Sequence, residues 1–436
     1  MLGLVTASAS AAPAGKWTQI THQHNGARSN LGLARGKDGV LHVLWAGPNR
    51  APFPAILDTV ITKAWKLGKA PTVISGWKSV NPPTAATASD GSIHAIVSGA
   101  KVGGQNDPTE GLNEVVGPGS WKLGARAFGN VSITVASSAD VHTAFLKSGQ
   151  LISVWQTAAA LLFQTGTNPS TQPQNITPPN LAVNPVIAVD QGNGAAVIAY
   201  HGVNDGQNYF RQIAPSVGSP KAIPGSKGDG PTIAARSAGG VFTAYFDGAR
   251  VMLQQYGGKA RTVPVPKGGR VLTASLAAGP DGRLWVFYGD EQKTYVTRSS
   301  RHVSGWEPVQ VLPSPPKTVQ YFRLEGEGSA GPLDLFADVT VDGQTKDGSY
   351  ATHVQPQLSL RASKKTLKSG AVEVTVHVTD AGDAMAGAKV KGLPGGTKTT
   401  DAKGTVDVTF PKGKGGTFSL TASTPGYVPA RGRLSV

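Results

Sequence analysis

The chain contains no cysteine, which excludes disulfide scaffolds, thiolate metal centres and cysteine nucleophiles. It also lacks any apolar run approaching the ~20 residues that carry a helix across a bilayer. Acidic residues are scarce, 26 Asp and Glu against 41 Lys and Arg, for a formal charge of +15. The Leu-, Glu- and Lys-rich runs of helical bundles and coiled coils are missing too, because Gly 56 and Pro 31 interrupt every apolar stretch. What is present is 39% hydrophobic residues, 8 of the chain's residues being Trp. That is enough for a buried core and rules out wholesale disorder. A length of 436 residues exceeds one small core and suits roughly two to three domains. These constraints leave a soluble all-β protein.

Residues 1–15, MLGLVTASASAAPAG, end in small residues with an Ala9-Ser10-Ala11 pattern followed by Pro13. This reads as the remnant of a secretory signal peptide or as a disordered tail, although no Lys or Arg precedes Lys16. Secretion or display at the cell surface is the expectation.

A repeat follows: a small-residue strand, a Gly/Asp turn, then an apolar strand that usually ends in an aromatic residue. Its copies are residues 31–47, 84–99, 133–149, 185–202, 231–248 and 273–290, with a weaker seventh at 322–339. The turns fall about 40–50 residues apart, a period that with short strands marks propeller blades. Asp38-Gly39, Asp90-Gly91 and Asp281-Gly282 supply the positive φ angles of tight hairpins. KWTQIT, GWKSV, SWKLG, QNIT, KAIPG, ARTVP and GWEPV form a fainter repeat and are read as outermost strands. The count gives a seven-bladed β-propeller over 16–355, with six blades as the alternative. KWTQIT would close the ring by pairing with Gly348–Val354, removing an open sheet edge. The pattern changes over residues 356–436. Alternation in VEVTVHV, GTVDVTF and TFSLTAS between Gly-rich turns predicts a small β-sandwich there.

The segments AGAKVKG (386–392), TTDAKGTVDVTFPKGKGG (399–416) and ASTPGYVPA (422–430) resemble bacterial immunoglobulin-like and carboxypeptidase-regulatory-like modules. That resemblance implies a spacer or attachment domain. The strands at 38–43 and 90–95 loosely resemble those of sialidase-like, BNR-like secreted propellers. The departures are specific: PFPA (52–55) lacks the arginine of the Phe-Arg-Ile-Pro segment, and no Ser-x-Asp-x-Gly-x-x-Trp box is intact. The resemblance therefore implies the fold and leaves the arginine triad unassigned.

His42, His94 and His142 stand at matching places in three successive repeats, which could line the axis and hold a metal. Val197, Phe242 and Trp285 occupy the same place in the next three, so the position reads as a packing site. Asp107, Glu110, Asp205, Asp229, Asp247, Asp290 and Glu291 gather on the loops that enter the inner strands or leave the second strands. Any two could serve a glycosidase, yet turn chemistry alone also places Asp there. For a lyase the same face offers His22, His24, Arg28, Arg126, His201, Arg270, Tyr321 and Arg323. Asp205-Gly206 and residues 342–348 lack the acidic ligands of a calcium loop, so no metal or cofactor is expected. The sandwich is rich in Lys (364, 365, 368, 389, 391, 398, 403, 412 and 414) against five acids, Glu373, Asp380, Asp383, Asp401 and Asp407. That balance favours an anionic partner. No nucleic-acid partner is expected, because stacking aromatics are confined to Phe410, Phe418 and Tyr427.

The functional expectation is a monomeric secreted or surface propeller that binds cell-wall or extracellular polysaccharide, or another anionic envelope polymer, without catalysis. A polysaccharide hydrolase or lyase is the alternative, and a protein-interaction platform the third. The expected ligand contacts are His24, Arg28, His201, Asp205 and Asp290, on the loop-rich face.

Overall fold

A computed structural model describes residues 16–21, 31–48, 54–68, 71–101, 109–113, 121–127, 141–157, 160–176, 182–228, 230–341 and 348–436. His22, His24, Arg28, Asp107 and Asp229 lie outside these residues, as do the side chains of Glu110 and Tyr321.

Among the described residues, seven four-stranded antiparallel sheets follow one another along the chain. Their innermost strands are Gly32–Arg35, Thr84–Thr87, His142–Phe145, Ala182–Val189, Ala234–Ala235, Thr273–Ala278 and Thr318–Glu327. Each innermost strand packs beside the next, and Thr318–Glu327 returns to Gly32–Arg35. The sheets therefore form a ring of blades about a central axis. The last blade takes its fourth strand from the start of the chain: Thr18 pairs with Ala351 and Gln19 with Tyr350. The Ile20 amide donates to the Ser349 carbonyl at 2.9 Å, and the Ser349 amide donates to the Thr21 hydroxyl at 2.8 Å. This is the closure that the alternation of 348–354 predicts, and it leaves no open edge at the seam.

The inner hairpins form where local turn chemistry demands them. Asp281 and Gly282 both take positive φ, 54° and 74°, as a type I′ turn requires. The Asp38 carboxylate accepts from the Val40 amide at 2.9 Å, and Asp90 does the same for Ser92 at 2.8 Å. Between blades, apolar faces interdigitate around fully buried Trp155, Trp285, Tyr200 and Tyr288. Burial of each large apolar side chain contributes on the order of 1.5–3 kcal/mol before chain entropy is counted.

Three details differ from the repeat read in the sequence. The third hairpin turns at Ser148-Gly149, between His142–Phe145 and Leu151–Gln156, not near residue 140. His142 is thereby on an innermost strand, whereas His42 and His94 are on second strands. Trp77–Val80 is not an outermost strand: it pairs with Gly99–Lys101 in a separate two-stranded ribbon, and Thr72–Ile74 completes the first blade. Gln310–Pro313, not 305–309, completes the sixth blade.

Residues 358–435 form two further sheets. One contains Leu358–Thr366, Val372–Asp380, Asp383–Ala384 and Thr405–Phe410; the other contains Lys389–Lys391, Lys398–Thr399, Thr417–Ser423 and Ala430–Ser435. Inward-facing residues including Leu358, Val374, Val376, Val390, Phe410, Leu420 and Leu434 make their common core. Alternation is direct: along Thr405–Phe410 the residues Val406, Val408 and Phe410 are buried while Asp407 and Thr409 are exposed.

A buried charge cluster holds this sandwich against the sixth blade. Arg298 contacts Glu307 and Asp380, each at 2.8 Å, and Arg283 contacts Asp380 at 3.1 Å and Asp383 at 2.8 Å. The Tyr427 hydroxyl donates to Asp380 at 2.8 Å. The Arg298 guanidinium also lies over the rings of Trp285 and Tyr427, at 5.2 and 5.5 Å. At Gly305 the blade backbone approaches so closely that a Cβ would sit 2.2 Å from the Ala381 carbonyl oxygen. Charges taken this far out of water persist only when each is paired, and here each is.

Candidate functional site

The innermost strands all run the same way along the axis, and together they enclose a cavity of about 220 Å³. Its apolar wall includes Leu31, Leu33, Val186, Ile187, Ile233 and Leu276; its polar groups include Thr84, His142, Thr143, Ser275, Arg323 and Glu325. Every blade contributes. The volume is below the ~300–1,000 Å³ usual for drug-sized ligands, so it suits one sugar ring or one small polar group.

Charge in this cavity is localised on the seventh blade. Arg323 and Glu325 approach to 3.4 Å and are respectively 27% and 19% exposed. Both are thus accessible from the cavity without being fully solvated. Glu325 also accepts from the Leu31 amide at 3.0 Å, which ties the seventh blade to the first. Arg323 reaches across the axis: a Cβ on Gly230, at the entry to the fifth blade, would lie 3.5 Å from its guanidinium. His142, on the third blade, lies in the field of the same arginine. Burial, and secondarily the Arg323 charge, push the His142 imidazole down to about 3. At neutral pH it is therefore an uncharged ring with one donor and one acceptor nitrogen. Thr84 uses its hydroxyl to accept from the Thr143 amide at 3.3 Å, and so fixes the second blade against the third.

The described residues among the sequence-predicted contacts occupy other places. His201 is buried at the end of a second strand, its Nδ1 2.9 Å from Asn208 Oδ1. Asp205, in the turn that follows, accepts from the Gln207 amide at 3.0 Å and from the Tyr209 hydroxyl. The Tyr209 hydrogen bond, then the Gln207 amide, hold its carboxyl below the usual range. Asp290 is buried in the corresponding turn of the sixth blade and accepts from the Gln292 and Lys293 amides, both at 2.9 Å. Asp247 does likewise in the fifth blade for Ala249 and Arg250. The structure brings His201 and Asp205 to one turn, sets Asp290 in another blade, and places none of the three in the cavity wall.

His42 and His94 pack as the variable repeat position suggested. His42 Nδ1 is 2.7 Å from Asp58 Oδ2, which also accepts from Trp121 Nε1 at 2.8 Å. His94 meets the Phe145 ring edge-on at 5.0 Å. Among the described residues no three His, Cys, Asp or Glu side chains gather where they could hold a metal. Sequence reasoning offered Arg323 within a longer set but passed over Glu325, Thr84 and Ser275. The signal available was positional: Thr84 and Ser275 fall in the entry half of an innermost strand, and Glu325 lies on the innermost strand Thr318–Glu327.

Seven sheets about a lined axial cavity, with a two-sheet sandwich packed on the sixth, define a β-propeller joined to a β-sandwich. No protein-family model matches the sequence, and no curated protein matches it by sequence. Among solved structures the chain is similar to a Dyadobacter fermentans protein described as of unknown function. The TM-score is 0.48 at 10% identity, covering 78% of this chain and 98% of that one. It is also similar to YCF48 bound to a D1 peptide, with a TM-score of 0.47 at 9% identity, covering 80% and 98%. A third is virginiamycin B lyase from Staphylococcus aureus, with a TM-score of 0.41 at 13% identity, covering 77% and 99%.

Proposed function

We propose that this protein is a secreted or surface-displayed propeller that binds carbohydrate without turnover, taking a small acidic sugar group into the axial cavity. The observation that carries the reading is Arg323 in the wall of a cavity that also presents a neutral imidazole, hydroxyls and apolar walls. A guanidinium recognises a carboxylate with charge-assisted hydrogen bonds, and the apolar wall suits the C–H face of a sugar ring. Residues 16–355 then form the binding unit, and the immunoglobulin-like sandwich over 356–436 carries it at the envelope.

Three features favour binding over chemistry. Glycoside hydrolysis uses two carboxylates, and among the described lining residues Glu325 is the one carboxylate, already paired with Arg323. A lyase needs a base whose pKa lies near the working pH, and His142 is displaced to about 3. One arginine among the described lining residues also falls short of the triad a sialidase-like site would use. The test is a glycan array run beside turnover assays on a polysaccharide panel. Binding to acidic glycans with neither new reducing ends nor ultraviolet-absorbing unsaturated products is the expected result. Turnover of any substrate, or no binding above a blank, would overturn the reading.

A further inference from the structure

The sandwich carries a second surface that the axial site does not use. In the sheet of Lys389–Lys391, Lys398–Thr399, Thr417–Ser423 and Ala430–Ser435, Val390, Leu420, Ala422 and Leu434 point into the core. Alternation then turns Lys389, Lys391, Arg431 and Arg433 outward, and all four are exposed. Register sets them in two columns. Lys391 lies opposite Thr421 and Lys389 opposite Ser423; on the other side, Thr421 lies opposite Arg431 and Ser419 opposite Arg433.

The strand between the columns thus presents short hydroxyl side chains, Ser419, Thr421 and Ser423, flanked by long cationic ones. Two strand spacings make this trough about 10 Å wide, and charges within a column stand about 7 Å apart. None of these four strands contains an Asp or Glu, and among the described residues the four cations have no carboxylate partner. The opposite sheet is different: its outer face mixes Arg361, Lys365 and His377 with Glu373 and Asp407. Like charges this close raise the local positive potential and cost the fold a little, so the arrangement is not one that stability alone would select.

We propose that this trough docks an extended acidic polysaccharide, its carboxylates on the two cationic columns and its hydroxyl groups on the serine and threonine floor. The width admits one saccharide chain. Single-stranded nucleic acid is disfavoured because the face offers no aromatic platform: Phe418 packs toward the core and Tyr427 is committed to Asp380. The trough is separate from the axial cavity, and the surface that meets the propeller is built instead from Asp380, Asp383, Gln357 and Tyr427.

The test uses the full chain on immobilised alginate, a linear polyuronate, across a salt series. The variant K389Q/K391Q/R431Q/R433Q should keep its thermal unfolding midpoint, because all four side chains are exposed. At low salt its affinity for alginate should fall at least about tenfold, with a shallower dependence on salt. The variant K364Q/K365Q/K412Q/K414Q removes the same formal charge elsewhere on the sandwich and should stay within about twofold of the parent. Arg323 is present in the parent and in both quadruple variants, so any contribution of the axial site is the same in all three and cancels in the comparison. Equal losses in both quadruple variants would assign the effect to net charge and overturn the proposal. Failure of the parent chain to bind, or tighter binding to single-stranded DNA than to alginate, would overturn it as well.

Discussion

His142 and Glu307 are titratable groups moved in opposite directions, and their consequences for stability have opposite signs. His142 titrates near 6.5 in the unfolded chain and near 3 in the fold, driven down by burial and Arg323. Between those values the unfolded chain holds more protons, so the stability this ring contributes above pH 6.5 is lost as the pH falls toward 3. His142→Asn should flatten the acid side of the stability profile, measured as urea midpoints from pH 7 to pH 4. Burial first, and the neighbouring Asp380, push Glu307 up from 4.5 to about 8 against the pull of Arg298. Here the folded state holds the proton, so stability present below pH 4.5 is lost as the pH rises through 8. Glu307→Gln should therefore unfold near the parent's midpoint at pH 5 and above it at pH 9. An unchanged gap at both pH values would contradict that assignment.

At the scale of elements, the ring depends on a short strand from the start of the chain. Thr18–Gln19 and Ile20 bond to Ser349, Tyr350 and Ala351, and Ile20 lies in a cluster with Leu41, Val43 and Phe336. Deleting residues 1–21 should expose that cluster and the edge of Gly348–Val354. The thermal midpoint should drop by about 10 °C or more, as loss of several kcal/mol requires; an unchanged midpoint would mean the seam is not structural. This closure was legible in the sequence because alternation in 348–354 is a local signal. So were the hairpins at Asp38-Gly39, Asp90-Gly91 and Asp281-Gly282, where turn chemistry fixes the backbone. The third hairpin was not legible, because Asp140 ahead of an apolar run imitates the repeat and the real turn at Ser148-Gly149 lacks Asp. GWKSV misled in the same way: a Trp-containing strand looks alike whether it closes a blade or pairs in a side ribbon. The cavity could be anticipated only as lying on the axis, since which side chains face inward depends on the register of seven strands at once.

Across the whole molecule the least legible feature is the charge cluster between propeller and sandwich. Arg298 and Asp380 are 82 positions apart, and nothing in their local sequences links them. Removing Arg298 should leave Asp380 with Arg283 as its one cation and Glu307 with none, and breaking a buried pair in this way costs about 3–5 kcal/mol. Arg298→Leu should therefore split a single calorimetric unfolding transition into two, the sandwich and propeller melting separately. A single transition at the parent's temperature would show that the cluster does not couple them. While it holds, the cluster fixes the sandwich against the sixth blade.

Carbohydrate recognition in the axial cavity turns on Arg323. Calorimetric titration of the tightest acidic glycan from the array into the parent chain and into Arg323→Gln tests it directly, with circular dichroism confirming that both are folded. Loss of a charge-assisted contact worth about 1.5–3 kcal/mol predicts affinity weaker by roughly tenfold to a hundredfold. Unchanged affinity in a folded Arg323→Gln protein would contradict binding at this site.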